Sequence, residues 1–427
     1  MLNFVMQARH SHFIRHNAVF FFGAVAVGAL NYLYYPIMGR LLDPASFGEV
    51  QTLISLFLQI TIFLSVMGLV TINIVTNYSS VARRNEVVLE FEKLALLIGV
   101  ALLGVTIVGG PAIAHFLHFS SVWPFVLLLL ALIASVPFTF RSAFLRGRKK
   151  FMLASAANLA MAASKLLFAA LFIVVGLGSA GAIGGLVVAQ IVASIIAAAW
   201  ATKAGLTHGA DSRIFGLPNF RLLLPELRYG ALVLGGSLIV TLQYSLDVLV
   251  VKHYFNPHVA GLYAGVASVA RIILFLTASV ALVMMALVRA QAAPGKNQRL
   301  LLQSLLLTAV VGLPVWGVCL FAPQAVTLLL MGKAYAGIAS ILPTLASAVL
   351  VVSVVNVVVS YYLALRRYGI LPVLGVGALV TYVLLYLHHA SLQSVVTSLF
   401  VGSLAMLAVL GLWAGSNYLR ETTWQKS

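Results

Sequence analysis

Apolar residues run through this chain in long blocks, and short gaps between the blocks hold most of its polar and charged residues. A helix needs about 20 mostly apolar residues to cross the hydrocarbon of a bilayer. Twelve blocks reach that length, at roughly 17–40, 46–76, 93–117, 121–140, 151–175, 180–201, 229–252, 259–289, 300–322, 338–365, 368–388 and 391–415. Several are interrupted by proline or by glycine–proline, at Pro36, Gly109-Gly110-Pro111, Pro137, Pro314 and Pro343. Membrane helices tolerate such breaks, and the breaks often mark kinks. The pattern predicts an all-α integral membrane protein with twelve transmembrane helices.

Composition agrees. Of 427 residues, 62% are hydrophobic and 8% are charged, against about 25% charged in a soluble domain. No water-soluble fold of this length can bury so much apolar surface. The net charge of +17 could indicate nucleic acid, but the bases sit in the gaps between apolar blocks and form no patch on a soluble domain. Gaps before the odd-numbered helices, and the tail, hold most of the 26 lysines and arginines. The opposite gaps hold only Arg40, Lys252 and Lys333. The positive-inside rule then places both termini in the cytoplasm, as an even helix number requires. The basic stretch MLNFVMQARHSHFIRHN lacks a cleavage site and is expected to lie at the interface before an uncleaved first helix.

The two halves are related. LNYLYYPIMGRLLDPASFGEVQTL (30–53) aligns with LQYSLDVLVVKHYFNPHVAGLYAGVASV (242–269). Asn31 meets Gln243, Tyr32 meets Tyr244, and Arg40 meets Lys252. After a one-residue shift Pro44 meets Pro257 and Gly48 meets Gly261. With six helices per half, both copies keep one orientation, which is a parallel transporter repeat. The expected organisation is a six-helix bundle at 1–201, a cytoplasmic linker at 202–228 with room for a surface helix, and a second six-helix bundle at 229–427.

Ionisable groups inside a bilayer are expensive and need a reason. Lys165 falls about 14 residues into the fifth helix, roughly 21 Å deep, and Arg271 lies well inside the eighth. Asp247 is in the outer half of the seventh. An ion triad of these three is one reading. The other is a basic cavity for an anionic substrate, with Asp247 as either a cation-coupling site or the partner of Arg271. Polar neighbours share their faces: Asn31 and Tyr35 on the first helix, Asn158 with Lys165, Gln243 with Asp247, and Tyr263 with Arg271. Arg40 and Lys252 are candidate outer-gate residues, or else interfacial anchors.

Several chemistries are missing. No GxxxxGK[ST], GxSxG or HExxH occurs, and the single cysteine, Cys319, has no metal-ligand spacing. Neither catalysis nor a metal or other cofactor is expected. Nine acids in all leave few groups with which to bind organic cations.

The residues Gly39-Arg40-Leu41-Leu42-Asp43-Pro44-Ala45-Ser46-Phe47-Gly48 resemble the first-helix signature of Wzx-type polysaccharide flippases. These belong to the multidrug/oligosaccharidyl-lipid/polysaccharide exporter superfamily. SLDVLVVKHYFNPHVAGLYAGVASVARI, with Asp247, Gly261, Leu262 and Tyr263, resembles the same family's helix 7–8 pattern, and LRRYGIL at 365–371 fits one of its cytoplasmic turns. The chain departs from the pattern at Asp43, where the family often has glycine. The resemblance implies two six-helix bundles about a pseudo-twofold, forming a V around a central cavity that alternates between membrane faces. It implies a polyprenyl-pyrophosphate-linked glycan as substrate, in the cytoplasmic membrane. Relatives that move the peptidoglycan precursor carry two additional helices, so twelve favour an O-antigen, capsule or other surface-glycan unit. Membrane lipids, a coupling ion (H+ or Na+) and glycan polymerase machinery are the other expected partners, with the protein itself a monomer. A drug or cation antiporter of the same superfamily is the rival reading, and a non-transporting membrane scaffold is a third.

Overall fold

The structure, a computed structural model, describes residues 26–207, 218–288 and 294–424. The interfacial N-terminal stretch, the start of the first span and the centre of the 202–228 linker fall outside those residues. Among the described residues every regular element is helical. The helices are α1 (26–41), α2 (Pro44–Asn77), α3 (Val81–Phe116), α4 (Trp123–Gly147), α5 (Phe151–Val174), α6 (Gly178–Lys203) and α7 (Phe220–Tyr254). They continue with α8 (Pro257–Ala270), α9 (Ile272–Leu287), α10 (Pro294–Phe321), α11 (Pro323–Met331), α12 (Leu342–Ala364), α13 (Ile370–Leu387) and α14 (Leu392–Trp424). A 3-10 turn, Lys333–Ile341, precedes α12.

Eleven spans among these residues are long and apolar enough to cross a membrane, and α1 is the described part of the twelfth expected one. Val108 and Phe321 are each 85% exposed, which is unfavourable in water and natural against lipid tails. The protein is a multi-pass integral membrane protein.

The helices run further than the apolar blocks. Helix α3 begins twelve residues before its block at 93, and α7 nine residues before 229, because helical hydrogen bonding continues past the bilayer edge where polar residues reach water. The eighth expected helix is broken for one residue at Arg271, whose ψ opens to −8°. Hydrogen bonds continue on both sides, from Arg271 N–H to Ala267 O and from Phe275 N–H to Arg271 O, so the break is a loosened turn and not a stop. The short α11 was not apparent from the apolar pattern. It ends at Gly332, whose φ of 99° is open to glycine and strained for other residues.

The chain divides into two compact units. The first holds the chain up to Leu41 with Phe63–Ala114 and Ser120–Gly230, and the second holds Leu42–Ile62, His115–Phe119 and Ala231 onward. Helix α2 therefore contributes its N-terminal half to the second unit and its C-terminal half to the first. In the first unit Gly185 of α6 lies on the backbone of Ala169 in α5, and Gly181 lies beside Phe172. This is the close approach that small residues four apart permit in membranes. In the second unit Gly377 of α13 lies against Met406 of α14, and Gly402 of α14 against Thr381.

The repeated turn has a physical basis here. Asp43 Oδ1 accepts from the backbone N–H groups of Ala45 and Ser46, at 2.9 and 3.1 Å, capping α2. Asn256 Oδ1 accepts from Val259 N–H at 2.9 Å, capping α8. Each cap is followed by proline at the first helical position, where its missing N–H is not needed. Partial burial pushes the Asp43 carboxyl up, but the hydrogen bonds from Ser46 and Ala45 outweigh that and hold it below the usual carboxylate range. The polar departure at Asp43 is thus a helix cap. Four residues beyond each proline stand Gly48 and Gly261, and these two equivalent glycines touch: a Cβ on Gly48 would lie 2.7 Å from Gly261 Cα.

Candidate functional site

The sequence-predicted residues assemble in two places, one in each unit. In the first unit, α1 and α5 bring Asn31 and Lys165 together. The Lys165 ammonium donates to Asn31 Oδ1 at 2.6 Å and lies 4.7 Å from the centroid of the Tyr34 ring. Among the described residues no carboxylate is within ion-pair distance of it. An amide oxygen and an aromatic face steady a cation without cancelling its charge. Asn158, on the same face of α5, donates its amide to its own helix at Ala154 O, 2.8 Å away. Tyr35 stands edge-on to Tyr34 with ring centroids 5.8 Å apart.

The sequence pattern points to Tyr35 as the polar neighbour of Asn31 and passes over Tyr34. Tyr34 is the ring beneath the lysine, and it is 1% exposed. The signal was present: Tyr34 is three residues from Asn31, which puts it on the same helical face.

In the second unit, the Arg271 guanidinium donates to Asp247 Oδ1 at 2.6 Å, and the Tyr263 hydroxyl donates to Asp247 Oδ2 at 2.8 Å. Helix α7 carries the acid, α8 the tyrosine, and the loosened turn after α8 the arginine. Both carboxylate oxygens are occupied, so this group is close to electrically neutral. Of the two readings open for Asp247, the geometry is that of a partner to Arg271. It borders a small cleft lined by Gln243, Tyr244, Asp247, Arg271, Leu345 and Ser403, among others. Gln243 Nε2 donates to Thr381 Oγ1 at 3.0 Å, while its Oε1 is buried without a partner. Among the described residues no cluster of three or more His, Cys, Asp or Glu could hold a metal ion.

Removing one member of a buried pair costs roughly 3–5 kcal/mol, because the other charge is stranded. Asp247→Asn alone should therefore lower the melting temperature of the purified protein markedly. The double variant Asp247→Asn/Arg271→Gln should recover most of the loss. A double-mutant cycle with additive losses would show that the two charges do not act as a pair.

Arg40 and Lys252 are equivalent in sequence and differ in surroundings. Arg40 is exposed. Lys252 is fully buried, its ammonium donates to no hydrogen-bond acceptor among the described residues, and it lies 4.9 Å from the centroid of the Phe119 ring. His118 contacts the Lys252 carbonyl through Nδ1 at 3.3 Å, and His253 stacks on Phe116 with centroids 3.9 Å apart.

Residues 14–288 match a family profile described as "Polysaccharide biosynthesis protein". Among proteins of curated function, none matches the chain. Among solved structures, an inward-facing multidrug-resistance MATE family transporter of the MOP superfamily shares the fold at TM-score 0.73, with 17% identity over 94% of this chain and 96% of its own. The lipid II flippase MurJ, in an inward closed conformation, matches at TM-score 0.73 and 13% identity over 94% of this chain and 87% of its own. A MOP superfamily transporter from Pyrococcus furiosus, described as having a binding pocket of reversed polarity, matches at TM-score 0.60 and 18% identity over 92% and 95%.

Proposed function

Because the chain belongs to the polysaccharide biosynthesis protein family, within a transporter fold, we propose that it flips polyprenyl-pyrophosphate-linked oligosaccharide across the cytoplasmic membrane for surface-polysaccharide synthesis. One observation carries the reading: an interior ammonium, Lys165, is held by an amide and a tyrosine ring with no carboxylate among the described residues within ion-pair distance. An uncompensated cation deep in a membrane protein suits an anionic cargo, and charge-assisted bonds to phosphate are strong. The halves 1–201 and 229–427 would alternate access to the two leaflets, with the polyprenyl tail left in lipid. Lys252 and Arg40 would act at the outer side as the head leaves.

The antiporter reading is weaker here. It needs a free acid for a cation, and Asp247 is already engaged by Arg271 and Tyr263. The deciding experiment reconstitutes the protein in vesicles containing lipid-linked oligosaccharide. Leaflet exposure is then followed with a membrane-impermeant lectin or glycosidase. Faster loss of inner-leaflet sugar than in protein-free vesicles is expected. Equal rates for lipid-linked sugar, together with uptake of an organic cation, would replace this reading with antiport.

A further inference from the structure

Arg146 belongs to the cytoplasmic bases by sequence, yet it sits in the last turn of α4 with its Nε buried and without a hydrogen-bond partner among the described residues. One turn earlier Ser142 is 1% exposed, and its hydroxyl is also buried without a partner. Most serines and threonines in these helices turn back onto a carbonyl. Nearby on α4, Ser135 bonds Leu132 O and Thr139 bonds Ser135 O. The Ser142 hydroxyl makes no such bond.

Residues four apart share a helix face, so Ser142 and Arg146 present their donors together. The other faces of α4 are taken. Arg141 pairs with Glu92 at 3.1 Å, and Phe144 lies beneath the Arg84 guanidinium at 5.4 Å. Thr139 and Gly147 pack on α2 at Gly68 and Val75, and Phe138 N–H donates to Ser194 Oγ of α6 at 3.1 Å. Among the described residues no carboxylate reaches Arg146.

Two buried donors, the Arg146 Nε–H and the Ser142 hydroxyl, thus stand one turn apart on α4 with no acceptor among the described residues. Buried donors are satisfied nearly everywhere in proteins. The dipole at the end of α4 favours the arginine and opposes an anion, so any acceptor must be held by the side chains. A guanidinium fork with a hydroxyl beside it matches the oxygens of a phosphate.

We propose that Ser142 and Arg146 form an oxyanion seat at the cytoplasmic end of α4 that takes the phosphate of a membrane-lipid headgroup. The source is either an anionic phospholipid or the polyprenyl pyrophosphate carrier. Only the second source rests on the function proposed above.

The test measures binding of farnesyl pyrophosphate, phosphatidylglycerol and phosphatidylcholine to the purified full chain by native mass spectrometry. Arg146→Gln should weaken the phosphate-bearing ligand that occupies the seat about tenfold or more, with a smaller loss for Ser142→Ala. Arg146→Lys should fall between, since it keeps charge without the fork. Lys150→Gln, at an exposed base nearby, should bind like the unaltered protein. Selective loss of farnesyl pyrophosphate identifies the carrier as the source, and selective loss of phosphatidylglycerol identifies the phospholipid. If Arg146→Gln does not fold, Arg146→Lys and Ser142→Ala carry the comparison. Unchanged affinity for every phosphate probe in the folded variants overturns the seat. Failure of vesicle transport by the unaltered protein would sink the flippase reading and leave this one standing.

Discussion

Lys165→Met is expected to yield a protein at least as stable as the original that no longer flips lipid-linked sugar. The two halves of that expectation have separate causes. A lysine near the centre of a membrane helix costs roughly 2.5–3.5 kcal/mol on insertion scales. The Asn31 bond and the Tyr34 face return part of it, about 0.6 kcal/mol for a membrane hydrogen bond and up to about 2 for a desolvated cation–π contact. Methionine fills a similar volume, removes the charge and leaves Asn31 short of one donor. The balance is a melting temperature unchanged or slightly raised. Transport should fall about ten- to a hundredfold, the worth of one charge-assisted hydrogen bond to phosphate. Lys165→Arg should retain part of it. A variant that lost stability and transport together would mark the lysine as structural and remove the main support for an anionic cargo.

Gly261→Ala should be among the most destabilising single changes in the chain, although helix propensity alone predicts the opposite. In a helix interior alanine is better than glycine by about 1 kcal/mol. At Gly261 a methyl group would land on the carbonyl of Pro44, which is backbone and has nowhere to rotate. The start of α8 would have to part from the start of α2. Overpacking of this kind costs typically 1–3 kcal/mol and occasionally more, and here rigid backbone puts it at the upper end. Gly48→Ala should behave alike. Gly104→Ala, with nothing within 4 Å of its Cβ position, is the control and should be neutral or mildly stabilising. Melting temperatures of the three variants decide it: a Gly261→Ala protein as stable as Gly104→Ala would mean the helices are not in contact there.

Much of this architecture could be read from the sequence, because bilayer thickness is a ruler and apolar blocks register against it. Helix ends were less legible: α3 and α7 extend past their apolar blocks, where hydropathy no longer reports on hydrogen bonding. The interruption at Arg271 left no trace, since Ala270 and Ile272 are ordinary helix residues. Side-chain roles depended on partners distant in sequence. Lys165 was conspicuous by its charge, but its ring partner, Tyr34, is 131 positions away. Arg40 is exposed and Lys252 is buried with its ammonium over Phe119, on a turn that no local pattern connects to it. Arg146 was hidden by its own type, because a base near a helix end reads as an ordinary topology signal.

The meeting of Gly48 with Gly261 has a consequence for how this protein can change. A damaging substitution in a core is commonly rescued by shrinking the residue it strikes. Here the neighbour that Gly48 faces is its own counterpart, already without a side chain, and the next atoms are main chain. No second-site suppressor of Gly48→Ala can be made at residue 261, and a methyl at Gly261 strikes the main chain of Pro44, which no substitution removes. A genetic screen starting from Gly48→Ala should return true revertants, or compensations elsewhere that reseat whole helices, and none at residue 261.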